Sequence, residues 1–279
     1  VMLAASFEKY LNRYGVVSDE SPVIFTNNSS TYSLLKSLTD LGHKPKAYVD
    51  IRDQKNIEKE TVDLLEKFNI PFYPKSEVEG CEGQKEVKKV SIRTKKNQIS
   101  KIKTSMLCVS GGFNPDIHLF TQSKGLLKWD KEHLTFKPDR IFQKTITLGS
   151  VSGNFSYEKL LVEVEKKLSE FEGLNELEVK FELNGPEKFQ IKELWETKQE
   201  KKSLWSKSFI DLQNDVTTKD LRQAVNEGFN RIEHLKRFTT NSMGTDQGKI
   251  SSINALGIVS KILKKDISEV GTTTYRPPL

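Results

Sequence analysis

Cysteine is almost missing from this sequence, with two thiols, Cys81 and Cys108, in 279 residues. They stand far apart and without neighbours at ligand spacing, which excludes a disulfide framework, a zinc site and a four-cysteine iron–sulfur cluster. The scarcity points to a reducing cytoplasm. Long apolar runs are lacking as well: no stretch reaches the roughly eighteen residues that a membrane helix needs, so no membrane span is expected. The opening Val1-Met2-Leu3-Ala4-Ala5 has neither a basic leader nor a long apolar core, so it is not expected to be a signal peptide. The first residue is not methionine, and the chain reads as a piece whose start lies upstream.

A surface of one charge sign is missing too. The net charge is +6, yet lysines are interleaved with glutamates from Glu163 to Lys167 and from Glu193 to Lys202. Such text reads as solvated helix surface, so nucleic acid is not an expected partner. With 35% hydrophobic and 29% charged residues, the chain is long enough for two modest domains, each with a core.

Apolar periodicity then sets the expected elements. Phe7, Tyr10, Leu11 and Tyr14 predict a helix over 4–14. Val23-Ile24-Phe25-Thr26, Lys46 to Asp50 and Pro71-Phe72-Tyr73 read as strands, separated by helices at 31–41 and 58–68. This βαβαβ run calls for a parallel sheet with helical crossovers. Alternating segments at 87–92 and 99–103 around Lys95-Lys96-Asn97-Gln98 predict an antiparallel β-meander. Strands are expected at 106–110 and 145–148, a helix at 157–171 and a strand at 177–183. Helices at 217–227, 230–238 and 251–263 form a helical module, with Thr217 or Thr218 plus Asp220 capping its first helix and Ser251 or Ser252 its last. The fold class expected is α/β: a Rossmann-like two-dinucleotide-binding flavoprotein fold with a β-meander, followed by a small all-helical module. The expected domains are 1–172, with an inserted Rossmann-like domain at about 21–139; a variable connector at 173–206; and the helical module at 207–279.

Asn27-Asn28-Ser29-Ser30-Thr31-Tyr32 follows a strand where a dinucleotide fold places its glycine-rich loop, but it contains no glycine. Asp50 ends the second strand where a ribose-binding acid belongs; without glycines the expectation is a vacant fold, with Asn27 and Asn28 as turn and cap residues. Ser110-Gly111-Gly112-Phe113-Asn114-Pro115 is either a tight turn or a ligand loop. Leu148-Gly149-Ser150-Val151-Ser152-Gly153-Asn154-Phe155-Ser156-Tyr157 places glycines between a strand and a helix N-terminus, where an anion is favoured. His118 and His234 lack partners at metal spacing and read as structural histidines. Lys236-Arg237-Phe238-Thr239-Thr240 and Gln247-Gly248-Lys249 bring cations and hydroxyls together; a helix C-terminus that favours positive charge explains only the first two.

With these strings, and with Tyr10 to Val16, Phe25 to Asn28, Val49 to Arg52, Ser110 to Pro115 and His118 to Gln122 in order, the chain resembles the alpha subunit of heterotetrameric sarcosine oxidase. The likeness thins between 173 and 203 and implies an internal segment. A glycine-rich nucleotide loop would precede it, and a folate-binding domain that takes tetrahydrofolate would follow Arg276-Pro277-Pro278. The family turns sarcosine, tetrahydrofolate and oxygen into glycine, 5,10-methylenetetrahydrofolate and hydrogen peroxide in a complex of alpha, beta, gamma and delta subunits. The amine is oxidised on the beta subunit, which carries FAD and covalent FMN, so no catalytic residue and no metal ligand is expected here.

The resemblance implies NAD contact at Ser150, Phe155 and Tyr157, and more loosely at Gly149 and Gly153. It implies an FMN-facing role, shared with the beta subunit, for Lys236, Arg237, Thr239, Thr240, Gln247, Gly248 and Lys249, with Thr273 and Arg276 behind them. Ser150 stands where the family usually has alanine, and Asn241-Ser242 where it has Leu-Gly. Relatives hold an iron–sulfur cluster with cysteines in this module; Asp246 takes one such place, so no cluster is expected. Two other readings are a subunit of an opine, proline or cyanogenic-glycine dehydrogenase, against which the missing cysteines argue, and a non-catalytic scaffold subunit.

Overall fold

Short strands with consecutive apolar residues demand cover on both faces, and the first part of the chain supplies it. The computed structural model describes residues 1–18, 21–143, 145–155, 157–169, 189–198, 208–272 and 275–276. Val1–Gly112 with Glu182–Glu200 form one unit, and Phe113–Phe181 with Lys201–Leu279 a second.

In the first unit β1 (Met2–Leu3) leads into α1 (Ala4–Tyr14), which Gly15 ends in the left-handed conformation, at φ 64°. Next come β2 (Val23–Thr26), α2 (Thr31–Asp40), β3 (Ala47–Asp50), α3 (Lys59–Lys67) and β4 (Phe72–Pro74). The meander is β5 (Glu77–Glu82), β6 (Lys89–Arg93) and β7 (Ile99–Lys103), and the chain then returns as β8 (Leu107–Ser110). β1, β8, β2, β3 and β4 lie in that order in a five-stranded sheet whose pairings are all parallel.

Successive side chains alternate between its faces. Ile24, Tyr48 and Cys108 join Phe7, Leu11, Leu34, Leu35, Leu38 and Leu65 in one core beneath the helices. Val23, Ala47, Val49 and Leu107 join Val78, Val90 and Ile92 of the meander in the other. Burial pushes the Cys108 thiol up to about 12, so it is an inert core group.

The second unit starts with α4 (His118–Gln122) and an antiparallel hairpin, β9 (Leu126–Asp130) with β10 (Thr135–Arg140). The strand expected at 145–148 joins no ladder among the described residues. Ser152 Oγ donates to the Thr147 carbonyl at 2.7 Å, a local bond that competes with sheet pairing, and the chain turns into a 3-10 helix at Gly149–Ser152. α5 (Tyr157–Ser169) follows; the strand expected at 177–183 lies outside the described residues.

A small ladder, β11 (Phe209–Asp211) with β12 (Val216–Thr217), then introduces the helices α6 (Thr218–Asn226), α7 (Ile232–Thr239), α8 (Ser251–Leu263) and α9 (Ile267–Val270). Thr217 and Asp220 form the expected capping box, with the Thr217 amide donating to Asp220 at 2.7 Å. Ser251 and Ser252 do not cap α8: they lie inside its first turn, and their hydroxyls meet that of Ser242, each at 2.9 Å. Among the described residues no helix is long and apolar enough to cross a membrane.

Leu35 is fully buried between α1, α2 and the sheet. Leu35→Ala is expected to lower the unfolding free energy by about 2–5 kcal/mol, read from the midpoint of urea denaturation.

Candidate functional site

Both candidate clusters are built by the second unit. The first is the turn between β10 and α5. Gly149 (φ 68°) and Gly153 (φ 84°) both lie in the left-handed region, and each also makes room for a neighbour. A Cβ on Gly149 would stand 3.0 Å from Leu160 Cδ1, and one on Gly153 would collide with the stem of Lys137. The Gly149 amide donates to Glu163 Oε2 at 3.2 Å, and Asn154 Nδ2 donates to the same oxygen at 3.1 Å. The chain's own carboxylate thus holds the amide that a phosphate would take, and packing accounts for both glycines. Ser150 is exposed. Phe155 stacks on His133, with ring centroids 5.0 Å apart. Tyr157 opens α5; its side chain lies outside the described set.

His133 belongs to a polar group that sequence reasoning missed. Its Nδ1 lies 2.7 Å from Asp130 Oδ2 and 3.2 Å from Lys137 Nζ, and Lys137 is ion-paired to Asp130. Asp130, Glu132 and His133 bring their ligand atoms within 4.8 Å of one another, but the cation among them is the Lys137 ammonium. Burial alone would lift the Asp130 carboxyl; Lys137 and His133 outweigh it and hold the carboxyl down at about 2.

The second cluster surrounds the end of α7. Thr240 caps it in the left-handed conformation, at φ 62°. Asp211, 3% exposed, binds this turn to the β11–β12 turn. Its carboxylate accepts from the amides of Gln213 (2.9 Å), Asn214 (3.2 Å) and Ser242 (2.7 Å). Asn214 Nδ2 in turn donates to the Thr240 carbonyl at 3.1 Å, and Gln213 Nε2 to Thr245 Oγ1 at 3.0 Å.

Several expected flavin-facing groups are spent on this turn. Thr239 Oγ1 donates to the Leu235 carbonyl at 2.9 Å, Thr240 Oγ1 to the Thr239 carbonyl at 2.6 Å, and Gln247 Nε2 to the Gly244 carbonyl at 2.9 Å. Gly248 is buried at φ 78° and donates its amide to Asp246 at 3.0 Å. Lys249 is 3.6 Å from Asp116. Lys236 and Arg237 make no ion pair or side-chain hydrogen bond among the described residues, and Arg237 and Phe238 are exposed. Arg276 is exposed beside buried Tyr275, whose carbonyl accepts from Gln122 at 2.8 Å, while Thr273 lies outside the described residues.

Behind α7, Phe238 and Thr239 line a depression of about 220 Å³ with Asn214, Asp215, Val216, Asp220 and Gln223. Its two carboxylates make it a poor seat for a phosphate. Lys236 and Arg237, without an ion pair among the described residues, have the chemistry for an anion that this depression lacks.

Residues 205–279 match the family model described as the sarcosine oxidase A3 domain. The chain is 32% identical to the sarcosine oxidase subunit alpha of Rhizobium meliloti (strain 1021), over 99% of this chain and 27% of that protein. It is 26% identical to that of Corynebacterium sp. (strain P-1), over 100% of this chain and 30% of that protein. The chain therefore spans less than a third of the length of these curated relatives. Among solved structures, L-proline dehydrogenase from P. horikoshii is similar with a TM-score of 0.56 at 19% identity, over 97% of this chain and 50% of that one. That likeness shows the fold: an α/β architecture with a parallel sheet, shared with an oxidoreductase.

Two outcomes follow from the geometry. Asp211→Ala strips three buried or half-buried amides of their acceptor and is expected to cost at least about 2 kcal/mol in urea unfolding, with Asp211→Asn recovering part of it. Because the folded-state pKa of Asp130 is depressed, its contribution is present above pH ~4 and is lost as the pH falls through about 2. Trp129, packed on Phe136 at 5.0 Å in the same hairpin, reports this in an acid fluorescence titration. Lys137→Met should move the Trp129 transition to higher pH.

Proposed function

We propose that this chain, homologous along its whole length to sarcosine oxidase alpha subunits, is the portion of such a subunit that holds NAD and helps enclose FMN against a beta subunit. In the assembled enzyme a flavin would supply the two-electron chemistry that takes sarcosine to glycine with oxygen as acceptor, and a further domain of the longer subunit would pass the one-carbon unit to tetrahydrofolate. This chain's own residues bind and position; none is assigned a bond-making role.

The observation that carries the reading is the pair Lys236 and Arg237. They are cations in the last turn of α7, without a carboxylate partner among the described residues, beside exposed Phe238. The helix dipole accounts for cations at this end; the Phe238 ring beside them stacks on Phe229, with centroids 4.6 Å apart, and is still 45% exposed. A half-buried Lys236 and an exposed Arg237 with an aromatic neighbour suit an anionic tail that becomes desolvated when a second polypeptide closes over it. Asp211 sets the turn beneath them, so the pair is presented on a shaped surface. Lys249 and Arg276 extend the positive character of the same unit.

For NAD, the outward side of the β10–α5 turn is the suitable part: the Ser150 hydroxyl is exposed, and the Phe155 ring is held by His133. The inner side is committed to Glu163 and Lys137, so Gly149 and Gly153 act by shaping the turn. The complex is read as cytoplasmic, from the near absence of cysteine.

Lys236→Ala and Arg237→Ala, each made in the full-length subunit coexpressed with its partners, are expected to weaken FMN retention about tenfold or more, since a charge-assisted hydrogen bond contributes about 1.5–3 kcal/mol. Circular dichroism of the variants should be unchanged. Full flavin content in both purified complexes would reject the assigned role.

A further inference from the structure

The crevice at the carboxyl ends of β8, β2 and β3 is where open α/β sheets take their ligands. β2 lies between β8 and β3 in the sheet order, and the loop after it supplies the amides that would cradle a phosphate. Each of those amides already has a partner. Asn28 N donates to Thr26 Oγ1 at 3.1 Å, Ser29 N to the Gln190 carbonyl at 3.0 Å and Ser30 N to Asn28 Oδ1 at 2.9 Å.

The Gln190 carbonyl comes from a segment more than a hundred residues away in sequence, and the same segment pairs with the loop repeatedly. Gln190 N donates to Ser29 Oγ at 2.9 Å, and Lys192 N to the Asn27 carbonyl at 2.8 Å. Asn27 Nδ2 donates back to the Lys192 carbonyl at 2.9 Å, and Lys192 Nζ to the Ile51 carbonyl at 3.0 Å. Asn28 and Ile191 form an antiparallel bridge. The Ile191 side chain takes the space above Gly112, where a Cβ would stand 2.5 Å from Ile191 Cδ1. That contact gives Gly112, at φ 107°, a reason to be glycine that involves no ligand.

The acid that would meet a ribose is committed as well. Asp50, 0% exposed, takes Arg52 Nη2 at 2.8 Å and Nε at 3.1 Å, and Arg52 Nη1 reaches Glu58 at 3.2 Å. Ser29 Oγ joins the same network through Glu58. The loop amides and the acid at the end of β3 are therefore turned toward the chain itself.

We propose that the switch-point crevice of the first unit is a peptide-docking site whose occupant is the chain's own segment at Gln190–Lys192, and that it takes up no nucleotide. Affinity comes from main-chain pairing, as when an extended strand is added to a sheet edge, and specificity from the Ile191 side chain over Gly112.

Hydrogen exchange on the full-length subunit in its complex tests this directly, comparing peptides that cover 27–32 and 189–193. Both are expected to exchange slowly in the wild type and to be unaffected by millimolar NAD or ADP-ribose. Ile191→Asp should speed exchange in both by at least tenfold, while peptides covering β3 stay protected. Gln190→Pro, which removes the amide bonded to Ser29 Oγ, gives an independent release should Ile191→Asp not fold. Free-peptide exchange of 189–193 in the wild type would overturn the docking, as would unchanged protection in both variants. Slowing of 27–32 by either nucleotide would overturn the claim that the crevice is closed.

Discussion

A backbone N–H that is buried outside a helix or a ladder must find an acceptor or cost free energy, and in this chain internal carboxylates repeatedly provide it. Asp211 gathers amides from two turns that are about thirty residues apart in sequence, and so fixes the end of α7 relative to β11. Glu163 does the same for the turn before α5 by holding the Gly149 amide and the Asn154 side chain. Both carboxylates organise a segment that has little regular structure of its own. The candidate surfaces are therefore shaped before any ligand or partner arrives, which lowers the ordering cost of binding.

The same accounting separates groups that shape a site from groups left to act. Thr239, Thr240, Gln247 and Gly248 look like ligand donors when read as residue types, yet each is spent on a neighbouring carbonyl or carboxylate. Lys236 and Arg237 are not, among the described residues. Lys236 is half-buried and Arg237 exposed, and a cation in contact with water needs no partner to be tolerated there. On the other turn, His133 and Lys137 are held with Asp130, so the local charge there is already balanced.

How far the sequence could be read tracks how local each determinant is. Apolar strands expected at 23–26, 46–50 and 106–110, the first two separated by an amphipathic helix, predicted a parallel sheet with helical crossovers, and alternation predicted the meander; each rests on neighbouring residues alone. The capping pair Thr217 and Asp220 was visible for the same reason. The β9–β10 hairpin was missed because Leu126-Leu127-Lys128-Trp129-Asp130 alternates only weakly, and the strand expected at 145–148 failed because a serine side chain five residues on takes the Thr147 carbonyl. Ser251 and Ser252 read as caps but answer to Ser242, nine and ten residues earlier. Glu163 read as solvated helix surface, Arg52 entered only as part of a matching string, and Asp211 carried no signal: each is an ordinary charged residue whose partners are set by the fold.

The loop after β2 shows what becomes of a phosphate cradle when glycine is absent. Side chains at Asn27, Asn28, Ser29 and Ser30 add Cβ atoms that keep a pyrophosphate from close approach to the backbone. The amides that would have faced it still need acceptors, because Asn27, Asn28 and Ser29 are all at most 4% exposed. The Thr26 and Asn28 side chains supply acceptors for Asn28 and Ser30, the Ser110 carbonyl of β8 one for Asn27, and the Gln190 carbonyl the one for Ser29. Absence of glycines and presence of the covering segment answer to one constraint: buried amides in this loop need acceptors, and the segment provides one. Gly112 fits the same logic, since it stays small for the segment's Ile191 rather than for a nucleotide.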